Sequence, residues 1–530
     1  MLHFVFVLCP FPSEPQHLST PLFTRLLALS HLIQPLPHFV LPPIYTILSS
    51  VFITINLITL CNLTPWIDEV MFIDTSYNMA VHGSWQTTAW YRVTGQHPFS
   101  TYPPLYQISV TIWIWLFGSD IVTVRSMNLL ITLILGVIYM QLMKRRRLQL
   151  TTTTAALFTL LLWGTSEMAW MYRNGRPDMM CALITSLTLL SIDHYLTRKS
   201  LKNKTAVILS SAMLFCSGVQ AAVYLCAIWM FLFIIMRKHH RGVMHLLFLI
   251  LTGYSLGLLS IAIFMQANGR LTGFICSFIQ YSTTLSNIIL VALPRISDTL
   301  GISTTTYVQK LQELTTGSNI FEQLKPITEY HSFIILSFIT AVFYATSLHH
   351  KKQNYIATGR LLFIFALFVP VIMTLVGRFT IYYRWMAFLP LVGAIMFIST
   401  KHRLWRTVFC LVAMSLTLHG AKTLLPNKHY DYDNLRTFIE RQHFKPSDTV
   451  VCPFSTFYEI KQFCDTCYFI GIFPTEYVGH VDYIIEADKS EDYNTPITDY
   501  VNTMKAKNAL TITDHCDNPS LTVYQVTTKQ

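Results

Sequence analysis

Along most of its length the chain alternates long runs almost free of charge with short polar breaks that concentrate Lys and Arg. The apolar runs fall at 40–61, 103–118, 121–143, 152–171, 178–196, 205–236, 243–267, 331–348, 360–376, 385–400 and 405–421. An α-helix needs about 20 apolar residues to cross a hydrocarbon layer of ~30 Å, and most of these runs have that reach. Run 205–236 is too long for one crossing and contains Gly218, so the pattern predicts two short helices there. The expected fold class is a polytopic α-helical membrane protein with about 11–13 transmembrane helices.

From about residue 427 the pattern turns polar and the apolar runs shorten to strand length: 448–454 (DTVVCPF), 467–473 (CYFIGIF), 481–487 (VDYIIEA) and 521–526 (LTVYQV). Helical stretches at 433–443 and 496–509 alternate with them, which predicts a small α/β unit. The chain therefore divides into an extension at 1–38, disordered or interfacial, a membrane domain at 39–425 and a soluble C-terminal domain at 426–530. Within the membrane domain the connections 62–102 and 268–330 are long enough to be substantial outer loops.

Composition sharpens this picture. Hydrophobic residues make up 52% of the chain and charged residues only 12%, with a mean hydropathy of +0.44. A soluble fold of this length does not carry that much apolar surface. The net charge of +11 comes in clusters between runs, as in 144–147 (KRRR), 237–241 (RKHHR), 349–352 (HHKK) and 401–406 (KHRLWR). That placement follows the positive-inside rule and argues against a nucleic-acid partner. Counting back from the C-terminus, it puts 268–330 and the tail on the outer side. The early half conflicts with the rule, because full crossings by both 103–118 and 121–143 would leave KRRR outside. Either a span is miscounted or 103–118 does not cross.

The candidate chemistry begins at the end of the first run, in WIDEV (66–70), with two adjacent carboxylates, Asp68 and Glu69. On a helix, neighbours point about 100° apart, so the two cannot share one site; one can face a cavity while the other supports it. The plainer reading is a solvated, negatively charged helix N-terminus. Downstream come Ala80 and Gly83, then Tyr102-Pro103-Pro104-Leu105, Leu116-Phe117-Gly118 and Arg125; later come RNGRPD (173–178) and RWMAFLP (384–390).

This ordered set resembles the polyprenyl-phosphate-dependent glycosyltransferases of the GT-C fold, in the bacterial branch related to protein O-mannosyltransferases and lipid A aminoarabinose transferases. The architecture matches over roughly 40–421 and the motifs are densest between 62 and 130. The resemblance implies Asp68 as the base, Glu69 as its support, and an Arg-x-Asp element at Arg176 and Asp178. Trp385 stands where the family's late segment has another aromatic. Tyr102 replaces a lysine the family often carries before the double proline, which puts a phosphate contact from that position in doubt.

A sugar on a polyprenyl phosphate already has a good leaving group. What its transfer lacks is a base for the acceptor hydroxyl and positive charge for the departing phosphate. Asp68 supplies the first, with inversion at the anomeric carbon. Arg92, Arg176, Arg378 and Arg384 are candidates for the second, against the plainer reading that arginines at span ends snorkel to water. Arg125 lies deep in an apolar run, and pairing with Asp120 or a loop carboxylate would make it structural. His97, Tyr102 and Asp178 are candidate supports. No cofactor is certain; a divalent metal on Asp68, Glu69 and His97 is the one considered.

In the tail, Cys464 and Cys467 lack a second pair at zinc-site spacing, so a disulfide among Cys452, Cys464, Cys467 and Cys516 is favoured over zinc or thioredoxin-like chemistry. The function expected is transfer of a sugar from a polyprenyl-phosphate donor to a hydroxyl of an envelope glycan, lipid or protein, among membrane lipids, on the outer face of a bacterial inner membrane. The alternative is a transporter or flippase of lipid-linked intermediates. Against it, no internal repeat is visible and the ionisable residues gather at span ends.

Overall fold

The computed structural model describes residues 41–89, 102–145, 148–218, isolated positions from 221 to 228, 240–275 apart from 273, 331–346, 354–375, 385–421, 430–469, 480–487, 495–507 and 509–527. The protein is mostly helical. In chain order the membrane part comprises α1 (Pro43–Thr59), a 3-10 turn (Leu60–Asn62), α2 (Ile67–His82), α3 (Leu105–Phe117), α4 (Ile121–Arg145), α5 (Thr152–Trp163), α6 (Ser166–Tyr172), α7 (Asp178–Thr197), α8 (Leu201–Ser217), α9 (His240–Ala267), α10 (His331–Thr346), α11 (Asn354–Leu375), α12 (Phe388–Lys401) and α13 (Arg403–Ala421). Among the described helices five are long and apolar enough to cross a membrane, and five more are apolar but shorter.

The apolar runs became helices close to the expected bounds, with one clear difference. Run 152–171 is not a single helix: it breaks into α5 and α6 at Gly164 and Thr165. There α13 comes so close that the carbonyl of Gly164 lies 2.8 Å from where a Cβ on Gly420 would sit, and two glycines let the backbones meet. The same device joins α8 to α9. Gly253 and Gly257, four apart, face the α8 backbone, and a Cβ on Gly257 would stand 2.7 Å from the Ala212 carbonyl oxygen. Helix α8 stops at Gly218, where the sequence predicted a break.

The tail adds α14 (Tyr432–Arg441), β1 (Thr449–Val451), α15 (Phe457–Phe463), β2 (Thr466–Tyr468), β3 (Tyr483–Ala487), α16 (Thr495–Ala506), β4 (Leu510–Asp517) and β5 (Ser520–Val526). They form a five-stranded sheet in the order β2-β1-β3-β5-β4. Strand β1 lies parallel to β2 and β3, while β5 runs antiparallel to β3 and β4. Helix α16 covers one face through Ile497 and Val501 against Val451, Ile484 and Tyr524. On the other face Phe454, Phe457, Ile485 and Val523 belong to the same apolar core as the membrane helices. The tail is thus packed directly onto the helices through this shared apolar core.

Two expectations for the tail are corrected. Strand β4 was not foreseen, because it is an edge strand with mostly exposed residues and a register shift between Ile512 and Asp514, so no apolar alternation marks it. The favoured disulfide does not form: Cys452, Cys464, Cys467 and Cys516 are free thiols. The Cys467 thiol turns to the carbonyl of Cys464 at 3.4 Å, and Cys516 accepts from the Asn434 amide at 3.6 Å.

Candidate active site

Helix α2 carries both sequence candidates in its first turn. Trp66 caps it in an extended conformation, and negative charge is favoured beside the unpaired N–H groups that follow. Being adjacent, Asp68 and Glu69 point in different directions and find different partners.

Glu69 is fully buried, so the plain solvated-cap reading fails for it. Its carboxylate takes a two-pronged grip from Arg125, with Nε to Oε1 and Nη2 to Oε2 both at 2.7 Å. The remaining guanidinium nitrogen donates to the carbonyls of Leu60 at 2.5 Å and Leu63 at 2.9 Å, closing the turn that enters α2. A paired fork of this kind is the arrangement in which a buried arginine is tolerated. The pairing with a loop carboxylate anticipated for Arg125 is the one formed. Gly175 makes room for it, since a Cβ there would come within 2.9 Å of the Glu69 Cγ and of Ile73.

Asp68 keeps 24% of its side-chain surface exposed. It is paired to Nη1 of Arg176, whose Nε donates to Asp178 at 2.8 Å. RNGRPD forms the turn between α6 and α7, pinned from below by the Asn128 amide, which donates to the carbonyls of Asn174 at 2.5 Å and Arg176 at 3.1 Å. Its first arginine, Arg173, donates to the carbonyl of Thr59 at 3.0 Å. Aromatic rings wall the Arg176 guanidinium: Trp66 at 5.2 Å, Trp170 at 5.3 Å and Phe72 at 6.0 Å from its carbon. Tyr102 stacks edge-on to Phe72 at 5.1 Å, one ring removed from the arginine. Among the described residues the buried Oδ1 of Asp178 has no hydrogen-bond partner.

Of the sequence candidates, the fold therefore brings together Asp68, Glu69, Arg176, Asp178 and Tyr102. Arg92, His97, Arg378 and Arg384 lie outside the described residues. The metal considered on Asp68, Glu69 and His97 needs a residue, His97, that lies outside the described residues. Asp68 and Asp178 share the Arg176 guanidinium, and no three His, Cys, Asp or Glu side chains converge among the described residues.

Two contributors from the tail were missed. The Tyr458 hydroxyl donates to Oε1 of Glu69 at 2.8 Å; burial pushes that hydroxyl well above the ordinary tyrosine value, and the Glu69 charge adds to it, so it remains a donor. The Lys461 ammonium lies 2.8 Å from Oδ1 of Asp74 and 2.9 Å from Oδ1 of Asn78, two further residues of α2. Burial, the largest influence, pulls Lys461 down, but the charge and hydrogen bond of Asp74 together with the neighbouring Cys467 and Tyr77 outweigh it and hold the group above the usual lysine value. The sequence offered little signal, because Tyr458 and Lys461 sit in a short helix, FYEIKQF, that also carries Glu459 and Gln462.

No family model matches the chain and no curated protein matches it. Among solved structures it is similar to ArnT from Cupriavidus metallidurans bound to undecaprenyl phosphate, at 11% identity and a TM-score of 0.46 over 91% of this chain and 98% of that one. It is also similar to the Archaeoglobus fulgidus oligosaccharyltransferase tethered to an acceptor peptide, at 11% identity and a TM-score of 0.49 over 86% and 72%. The same archaeal protein with an inhibitory peptide and a dolichol-phosphate gives 11% and 0.45 over 84% and 69%. Both are GT-C glycosyltransferases, the class the sequence resembles. At these identities and scores the likeness carries no argument about donor or acceptor, and the functional reading stands on the site itself.

Proposed function

We propose that this protein is an integral-membrane inverting glycosyltransferase, moving one sugar from a polyprenyl-phosphate donor to the hydroxyl of an envelope glycan, lipid or protein. The observation that carries the reading is Asp68: a partly exposed carboxylate at a helix N-terminus, held by an arginine that cannot lose its proton. Asp68 takes the proton of the acceptor hydroxyl, the freed oxygen attacks the anomeric carbon from the face opposite the phosphate, and the sugar–phosphate bond breaks to release polyprenyl phosphate. Nη2 of Arg176 meets the leaving phosphate, with Arg92, Arg378 and Arg384 as further cations. Glu69, Asp178 and Tyr102 hold this arrangement in place.

The reaction belongs on the outer face of a bacterial inner membrane, with the tail on the same side. Helix α3 supports this orientation. Its 13 residues reach only about 20 Å, short of the ~30 Å needed. If it stays on the outer side, α4 carries KRRR inward and the charge conflict in the early half disappears.

The test uses the purified full chain in lipid nanodiscs with polyprenyl-phosphate sugars, following the anomeric configuration of the product by NMR. One released polyprenyl phosphate per glycoside, with inverted configuration, is expected. Retained configuration, or movement of the lipid across the bilayer without bond cleavage, contradicts the assignment and favours the flippase alternative.

A further inference from the structure

Helix α15 meets α2 through two residues on one face. Tyr458 and Lys461 are three apart, so they project together, and both reach α2, through Glu69 and Asp74. Lys461 is 1% exposed and its partner Asp74 is fully buried. The other oxygen of Asp74 accepts from the Thr87 hydroxyl and the Thr88 N–H, both at 2.8 Å, and from the Ala89 N–H at 3.3 Å. Two backbone ties run alongside: the Tyr77 hydroxyl donates to the Lys461 carbonyl, and the Phe469 N–H donates to the Thr88 carbonyl at 3.2 Å. One carboxylate thus knots the helix bearing Asp68, the segment leaving that helix, and the tail.

A buried ion pair returns little more than its desolvation costs, so adhesion alone does not account for this one. What such a pair can specify is register, and Lys461 stands opposite both Asp74 and Asn78, one turn apart on α2. Asp74 is six residues beyond Asp68 on the same helix, about 9 Å along its axis, and Tyr458 holds the intervening first turn through Glu69. A rigid helix fixed at both of these points has a fixed N-terminus.

We infer that Lys461 and Tyr458 are positioning residues for sugar transfer, through which the C-terminal tail sets the placement of Asp68. The inference rests on the transferase reading. It implies that the membrane helices alone do not hold the base in its working position.

The test compares Tyr458→Phe, Lys461→Met, Lys461→Met with Asp74→Asn, and Lys461→Arg in the full chain in nanodiscs. Tyr458→Phe removes one hydroxyl and keeps the ring, and the double variant removes both charges together, so each keeps the fold accessible if Lys461→Met alone unfolds. The expected result is a fall in kcat of about 10- to 100-fold, the size of a sub-ångström to ångström misplacement, with KM for the donor within about twofold. Lys461→Arg, which preserves the charge, is expected to restore most of kcat. Amide exchange is measured in parallel and needs no substrate: 67–82 should exchange faster in the variants while 121–145 does not. Wild-type kcat in Tyr458→Phe and in the double variant, or exchange that rises equally in both segments, overturns the inference. A wild-type protein that transfers no sugar refutes the transferase reading instead, and the exchange comparison then decides the coupling by itself.

Discussion

The same ion-pair chemistry occurs in two settings in this protein, and they differ in what surrounds it. Around α2, Arg125–Glu69 and Lys461–Asp74 are sealed from solvent, each with every side-chain partner at 1% exposure or less. At the tail's surface, Arg441–Asp514 and Arg436–Glu440 have similar separations, 2.8 and 2.9 Å, yet both arginines are more than half exposed. Distance does not distinguish them; solvent does. In water a pair is screened and replaceable, whereas in the sealed site losing one partner strands a charge. The buried set thus fixes geometry around the candidate base, and the surface set contributes little.

Breaking the buried set should have the largest consequence. Arg125→Met leaves Glu69 uncompensated and is expected to cost about 3–5 kcal/mol, read as a fall in the thermal midpoint of the purified protein. Adding Glu69→Leu should recover most of that loss, because both charges then leave together. Next in size is Gly175→Ala, whose new methyl presses on Glu69 and Ile73; overpacking of this kind costs about 1–3 kcal/mol, checked in the same melting experiment. If it proves neutral, the turn 173–178 has slack that the close approach to Glu69 does not suggest.

The surface pairs give the small effects. Arg441→Ala should cost about 0.2–1 kcal/mol and less in high salt. Its pH dependence sharpens the contrast. Partial burial opposes charge on Asp514, but the Gln442 amide, the His515 N–H and Arg441 outweigh it and hold the carboxyl below its usual value. A depressed carboxylate stabilises fully above the unfolded value of about 3.9 and loses that contribution as pH falls through the lower folded value. The Arg441→Ala deficit should therefore be flat from pH 6 to 8 and shrink in strong acid. Arg436→Ala, removing an exposed pair four apart on α14, should cost only ~0.3–0.5 kcal/mol.

The helices were legible because burial in lipid writes itself into the sequence as uninterrupted apolar runs, and α1, α4, α7, α9 and α13 lie close to those runs. Helix geometry also gave the division of labour at 68 and 69: adjacent carboxylates cannot share a partner, and here one pairs with Arg176 and the other with Arg125. The partnerships themselves were only partly visible. Glu69 and Arg125 stand 56 positions apart, and Tyr458 stands 389 from Glu69; no periodicity encodes such contacts. Arg125 could be expected to have a carboxylate partner because a charge in an apolar helix requires one. The tail gave no comparable warning, since a lysine in a short amphipathic helix ordinarily faces water. Strand β4 escaped for the opposite reason: exposed on an edge, it has no buried face to show.

The central claim is that Asp68 removes the acceptor's proton, and the most direct measurement is single-turnover sugar transfer by Asp68→Asn in nanodiscs, with folding verified by its thermal midpoint. The substitution keeps the shape and removes the base, so the rate should fall by about 10²- to 10⁴-fold while the donor still binds. Transfer at the wild-type rate by a folded Asp68→Asn protein would contradict the account.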